Sequence, residues 1–169
     1  MIHLYTGDGK GKTTASLGMA VRAAGHDKNV LFCQFMKDGR SGELLSLPKM
    51  NVRVWCSPPM EKMTFQMTRE EYTDACKEMH AAVTDALELI GSLCPDMVIF
   101  DELATAIGCG MIGEDEARKL IRQCGDAEVV VTGRYAPEWL MDIADYLSVI
   151  DCRRHPYQSG AEARIGIEW

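Results

Sequence analysis

Within Thr6-Gly7-Asp8-Gly9-Lys10-Gly11-Lys12-Thr13-Thr14, glycines, lysines and hydroxyls are spaced for one task, the grip of a polyphosphate. Successive backbone N–H groups converge on one point, a following helix N-terminus adds its partial positive charge, and both favour an anion. Lys12 is placed to reach the outer phosphates and the Thr13 hydroxyl to hold Mg²⁺. Gly7, Gly9 and Gly11 allow a positive-φ curl and close approach to oxygen atoms. Against the pattern G-x-x-x-x-G-K-[ST], Thr6 stands where the first glycine belongs, and Gly7 comes one step late. A glycine-rich turn with no ligand is the plain alternative. Context argues against it, because Ile2 to Tyr5 reads as a short buried strand and Ala15, Leu17, Met19, Ala20 and Ala23 as the helix that follows.

Met97-Val98-Ile99-Phe100-Asp101-Glu102 is the complement, an apolar strand ending in two carboxylates in the manner of a Walker B segment. Acid beside a phosphate loop supplies oxygen ligands for Mg²⁺. Glu102 either holds metal or, as in motor ATPases, orients a water. A third apolar run, Val129-Val130-Val131-Thr132, stops at Gly133-Arg134. If the strands are parallel, Arg134 falls on the same sheet edge, as a planar phosphate-binding fork or as an ordinary surface arginine.

These groups need a scaffold. β-rich runs recur at Ile2 to Tyr5, Val30 to Phe35, Val52 to Cys56, Met97 to Phe100, Val129 to Thr132 and Tyr146 to Ile150, with helical stretches between most of them. That alternation predicts an α/β fold, a mostly parallel sheet with helices on both faces. The clearest helix runs from about Arg69 to Ser92, opened by a Thr68/Glu71 capping box and stopped before Pro95. Its apolar stripe is Tyr72, Cys76, Met79, Val83, Ala86, Ile90 and Leu93. A second amphipathic helix carries Ala117, Leu120, Ile121 and Cys124 and ends at Gly125. The least regular stretches, Met36 to Glu43 and Ser57 to Met67, follow strand carboxyl ends, where open α/β sheets bind ligands. In the second of them Met60, Met63, Phe65 and Met67 either line a pocket for a large, flat apolar partner or anchor the loop to the core.

Composition narrows the class. The 169 residues are 47% apolar, enough for one domain with a sizeable core, and the net charge is −7. An acidic chain is a poor general binder of nucleic acid, so a polyanion must sit in a local basic pocket. Seven scattered cysteines without a C-x-x-C pair suggest buried thiols in a reducing cytoplasm rather than disulfides or zinc. With no apolar run above four residues, neither a signal peptide nor a membrane span is expected.

Together these segments resemble the P-loop family of ATP:corrinoid adenosyltransferases, along nearly the whole chain. The resemblance rests on Tyr5 to Thr14, Ala23-Ala24-Gly25-His26, Gln34-Phe35-Met36-Lys37, Asp101-Glu102, Thr132-Gly133-Arg134, His155-Pro156 and Gly166-Ile167-Glu168. The family shares the displaced first glycine. It implies a RecA-like P-loop domain over residues 1–169, usually a homodimer, that transfers the 5′-deoxyadenosyl group of ATP to the Co(I) of a reduced corrinoid and releases triphosphate. The nucleotide is then reversed relative to kinases, with Mg²⁺ or Mn²⁺ as cofactor and a flavoprotein as reductant. By the same resemblance Gly7, Asp8, Gly9, Lys10, Gly11, Lys12, Thr13, Thr14 and Arg134 bind ATP, and Lys12 and Glu102 are catalytic. Thr13 and Glu102 hold metal with Asp101 beside them, and Met63, Phe65 and His155 meet the corrinoid. Two departures mark a short form: the first strand begins at residue 2 where many relatives carry an N-terminal cover, and Pro58-Pro59-Met60-Glu61-Lys62-Met63-Thr64-Phe65 replaces an aromatic loop. A small P-loop kinase or NTPase, and a nucleotide-gated corrinoid-binding protein with little turnover, are the alternatives.

Overall fold

The computed structural model describes residues 1–60, 62–156, 160 and 162–167; Glu61, Tyr157 and Glu168, which figure in the motifs above or beside them, lie outside the described residues. Among the described residues six strands form one sheet: β1 (Ile2–Thr6), β2 (Val30–Gln34), β3 (Arg53–Cys56), β4 (Met97–Asp101), β5 (Glu128–Thr132) and β6 (Tyr146–Val149), in the order β3-β2-β4-β5-β1-β6. Every pairing is parallel, as the alternation of strand and helix requires. The helices are α1 (Lys12–Ala24), α2 (Glu43–Ser46), α3 (Arg69–Leu93), α4 (Leu103–Gly108), α5 (Glu114–Gln123) and α6 (Glu138–Asp142). The fold is that of a RecA-like P-loop domain.

Side-chain alternation along the strands divides the core in two. Leu31, Cys33, Phe35, Val98, Phe100, Val129 and Val131 face α3 to α6. Val30, Phe32, Met97, Ile99 and Val130 face the other way, packing with Ala20 of α1 and with Leu47 and Val52. The α3 stripe behaves as its spacing predicts, with Met79, Val83, Ala86 and Ile90 buried and Tyr72, Cys76 and Leu93 packed at the margin. Its capping box is formed, Glu71 N–H donating to Thr68 Oγ1 at 3.2 Å and Thr68 N–H to Glu71 Oε2 at 2.8 Å.

One expectation needs correction. The cysteines are not uniformly buried: Cys33 and Cys124 are, whereas Cys56 and Cys94 are exposed at the ends of β3 and α3. The short helices α2, α4 and α6 carry too few turns to show an apolar period and arise from tertiary packing instead. Among the described residues no helix is long and apolar enough to cross a membrane.

Candidate functional site

All strand carboxyl ends lie on one edge, and the alternation that splits the core also sorts what stands there. Phe32, Ile99 and Val130 face α1, so two residues on, Gln34, Asp101 and Thr132 face the same way. They surround the N-terminus of α1, the one helix whose first turn follows the glycine-rich loop. Its first i to i−4 bond is Ala15 N–H to the Gly11 carbonyl at 2.8 Å, leaving the N–H groups of Lys12, Thr13 and Thr14 without helix partners.

Asp101 is the hub and is 0% exposed. Its Oδ1 accepts from Thr13 Oγ1 at 2.7 Å and Thr132 Oγ1 at 2.8 Å. Its Oδ2 accepts from Gln34 Nε2 at 3.2 Å and lies 2.8 Å from Lys37 Nζ. Four donors saturate the two oxygens. Lys37 and Gln34 also reach Glu43 Oε1, at 3.4 and 3.1 Å. Burial alone would pull Lys37 down, but Asp101, aided by Glu43 and Glu102, outweighs it and raises its pKa above 10.5. Gln34 Oε1 is buried and, among the described residues, accepts no hydrogen bond.

Glu102 begins α4 in a left-handed conformation (φ 62°), with its N–H donating to Thr132 Oγ1 at 3.0 Å and its carboxylate accepting from the Thr105 hydroxyl. Thr105 Oγ1 in turn accepts from Arg134 N–H at 2.8 Å, and Arg134 Nη1 donates to Asp8 Oδ1 at 3.3 Å. Arg134 thus meets the glycine-rich loop directly. Lys12 is only 6% exposed, its ammonium donating to the carbonyls of Gly7 and Gly9, each at 2.8 Å. Burial pulls its pKa below 10.5, and the Arg134 guanidinium pushes the same way.

The glycines serve more than curvature. Gly7 (φ 101°) and Gly11 (φ 124°) are left-handed, but Gly9 is not among the positive-φ residues. Gly9 is needed because the chain leaving β6 lies against it: its N–H donates to the Ile150 carbonyl at 2.7 Å, and a Cβ there would sit 2.7 Å from that oxygen and 2.8 Å from Asp151 O. We expect Gly9→Ala to cost about 1–3 kcal/mol by forcing two backbones apart, with hydrogen exchange quickening at the Gly9 amide and through residues 150–151.

Above this edge opens a cleft of about 690 Å³ whose lining includes Lys10, Lys12, Thr13, Lys37, Glu43, Glu102 and Arg134, and from the tail His155, Gly166 and Ile167. Lys10 Nζ donates to the Ile167 carbonyl at 3.1 Å, so the tail meets the loop. Met63 and Phe65 lie elsewhere, at the start of and within a one-turn 3₁₀ helix (Thr64–Gln66) before α3, 65% and 83% exposed. They do not anchor their loop; Met60 does, packing on the core. Residue types alone assigned no role to Gln34, Lys37, Glu43 or Thr132. The period of two, run from the core to the strand ends, is the signal that finds Gln34 and Thr132.

Among the described residues no three His, Cys, Asp or Glu side chains converge as a self-sufficient metal centre. The donors at the α1 N-terminus, a hydroxyl, carboxylates and an orphan amide oxygen, are all oxygen. That set fits a hard divalent cation taking the rest of its shell from phosphate and water.

The whole chain, residues 1–169, matches the sequence model of a family described as ATP:corrinoid adenosyltransferase BtuR/CobO/CobP. It is 31% identical to a corrinoid adenosyltransferase of Escherichia coli K12 over 171 residues, covering 100% of this chain and 85% of that protein. It is 32% identical to the corrinoid adenosyltransferase CobA of Salmonella typhimurium over 171 residues, with the same coverage of 100% and 85%. A corrinoid adenosyltransferase of Pseudomonas aeruginosa is 30% identical over 168 residues, 98% of this chain and 82% of its own.

Proposed function

Because this chain belongs to the ATP:corrinoid adenosyltransferase family, and so transfers the 5′-deoxyadenosyl group of ATP to the Co(I) of a reduced corrinoid, we propose that the glycine-rich loop holds the triphosphate that departs. The observation that carries the reading is electrostatic. In a chain of net charge −7, Lys10, Lys12, Lys37 and Arg134 line one cleft. Such a cleft takes a polyanion.

Co(I) brings its own electron pair. As it attacks C5′, the cobalt–carbon bond forms, the C5′–O bond breaks, and the bonding pair leaves with triphosphate. No protein base is required, so the protein contributes position, dryness and charge. Lys12 and the amides of Lys12, Thr13 and Thr14, which have no helix partners, stabilise the charge that grows on the leaving group. Gly7, Asp8, Gly9, Lys10 and Gly11 shape the cradle, with Arg134 at its rim. Thr13 and Glu102 hold Mg²⁺ or Mn²⁺, which when bound offsets charge on the triphosphate. Asp101, its oxygens already saturated, orients Thr13 by accepting the hydrogen bond of its hydroxyl. Met63, Phe65 and His155 serve the corrinoid; the exposure of the first two and the place of His155 on the cleft wall support this.

We read the chain as one cytoplasmic domain, working as a homodimer with a flavoprotein reductant. The exposed apolar side chains of edge strand β6, Tyr146, Leu147 and Val149, support the dimer. Supplied with ATP, Mg²⁺ and chemically reduced cobalamin, the protein is expected to yield adenosylcobalamin and triphosphate. ADP and phosphate with no cobalt–carbon bond would overturn the reading.

The depressed pKa of Lys12 gives a pH signature. The free enzyme loses the Lys12 proton below the ordinary lysine value of 10.5, so kcat/KM for ATP falls on the alkaline side earlier than an unperturbed lysine would allow. Bound triphosphate raises the same pKa, so the alkaline limb of kcat lies at higher pH. Coincident limbs in the two profiles would remove Lys12 from the site.

A further inference from the structure

Three strands end at the cleft edge on a non-glycine residue with left-handed backbone: Met36 after β2 (φ 58°), Glu102 after β4 (φ 62°) and Tyr135 after β5 (φ 56°). Asp27, Asn51 and Cys94 share the conformation but follow helices, where it is a routine terminator. Met36 packs back on the core and Glu102 opens α4. Tyr135 has neither use, and it is 64% exposed.

A bulky aromatic residue with positive φ is an outlier that persists only where its surroundings over-determine it. Here they do. Arg134 N–H is held by Thr105 Oγ1 at 2.8 Å, and Gly133 (φ 143°) lies so close to α4 that a Cβ would be 2.5 Å from Thr105 N. On Gly108 a Cβ would meet Tyr135 Cβ at 2.5 Å and its carbonyl oxygen at 2.7 Å. Two glycines and one hydroxyl therefore clamp the Tyr135 backbone while its side chain stays in solvent.

The turn that clamps Tyr135 also meets the exposed 3₁₀ segment. Cys109 Sγ lies 3.9 Å from Thr64 Oγ1, and the Cys109 carbonyl accepts from Tyr72 OH at 2.8 Å. Gly108-Cys109 therefore has Tyr135 against one residue and Thr64, flanked by Met63 and Phe65, against the next. Arg134, the neighbour of Tyr135, lines the cleft.

We propose that Tyr135 is a substrate-binding residue for the corrinoid, its exposed ring, carried on a clamped backbone, receiving the broad apolar face of the macrocycle together with Met63 and Phe65. The assignment rests on the adenosyltransferase reading above. An aromatic ring offers large contact area at the cost of only two side-chain torsions, and one such contact is worth about tenfold in affinity.

The test compares Tyr135→Gly, Tyr135→Ala and Tyr135→Phe. Glycine takes φ 56° without strain, so Tyr135→Gly should unfold at a higher temperature than the parent while binding cob(II)alamin about tenfold more weakly. The binding is read by intrinsic fluorescence quenching in the presence of Mg²⁺ and ATP. Tyr135→Ala should match it in corrinoid KM, Tyr135→Phe should restore parental affinity, and the KM for ATP should stay unchanged in all three. If Tyr135→Gly keeps the parent's corrinoid affinity, or weakens ATP as much as corrinoid, the proposal fails while the functional reading stands. A parent chain that binds Mg·ATP but neither binds nor adenosylates a corrinoid would overturn both.

Discussion

Lys12→Ala is expected to lower kcat about 10²–10³-fold while moving the unfolding temperature by only a few degrees. The two effects separate because the ammonium has different partners in each. In the folded chain it donates to two loop carbonyls, Gly7 O and Gly9 O, and losing such bonds costs roughly 1–2 kcal/mol. During adenosyl transfer the C5′–O bond breaks and negative charge builds on the triphosphate, and a pre-placed cation at that point is worth about 3–4 kcal/mol of barrier. Lys12→Arg should not rescue turnover, since a planar fork cannot occupy the narrow space between two carbonyls that a compact ammonium fills. Turnover by Lys12→Ala within a few-fold of the parent would mean that the loop does not hold the leaving group.

The architecture was largely legible because the core residues obey simple periods. Met97 to Phe100 and Val129 to Thr132 are apolar on both faces, the pattern of central parallel strands, and α3 carries its stripe over seven turns. Gly11-Lys12-Thr13 and Asp101-Glu102 stood out because few other tasks require those residues after a strand. What escaped depends on non-local geometry. Gly9 is glycine because β6 delivers Ile150 and Asp151 against it, a contact across more than 140 positions of chain. Tyr135 reads as an ordinary loop aromatic until its φ and its contact with Gly108 are known. Met63 and Phe65 left two readings open, core anchor or flat-partner pocket, and their exposure removes the first.

Lys37 is the most consequential residue that residue types alone left without a role, and Lys37→Met should destabilise the chain by about 3–5 kcal/mol, lowering its midpoint by roughly 10 °C. Asp101 has no solvent contact, and among the described residues its partners are two hydroxyls, one amide and a single cation, Lys37 Nζ at 2.8 Å. Removing the lysine leaves a buried carboxylate without its counter-charge, which costs far more than the pair itself contributes. The pair's own pH dependence follows from the raised Lys37 pKa: its stabilisation is fully present below 10.5 and is lost as pH rises through the higher folded value. Asp101→Asn added to Lys37→Met should recover much of the loss, because the amide is neutral and still accepts from Thr13. Nucleotide binding should not recover with it. Restored folding without restored Mg·ATP affinity would place Lys37 in the electrostatics of the cleft as well as in the core, whereas recovery of both would confine it to balancing Asp101. A Lys37→Met chain as stable as its parent would show that Asp101 does not need the ammonium at all.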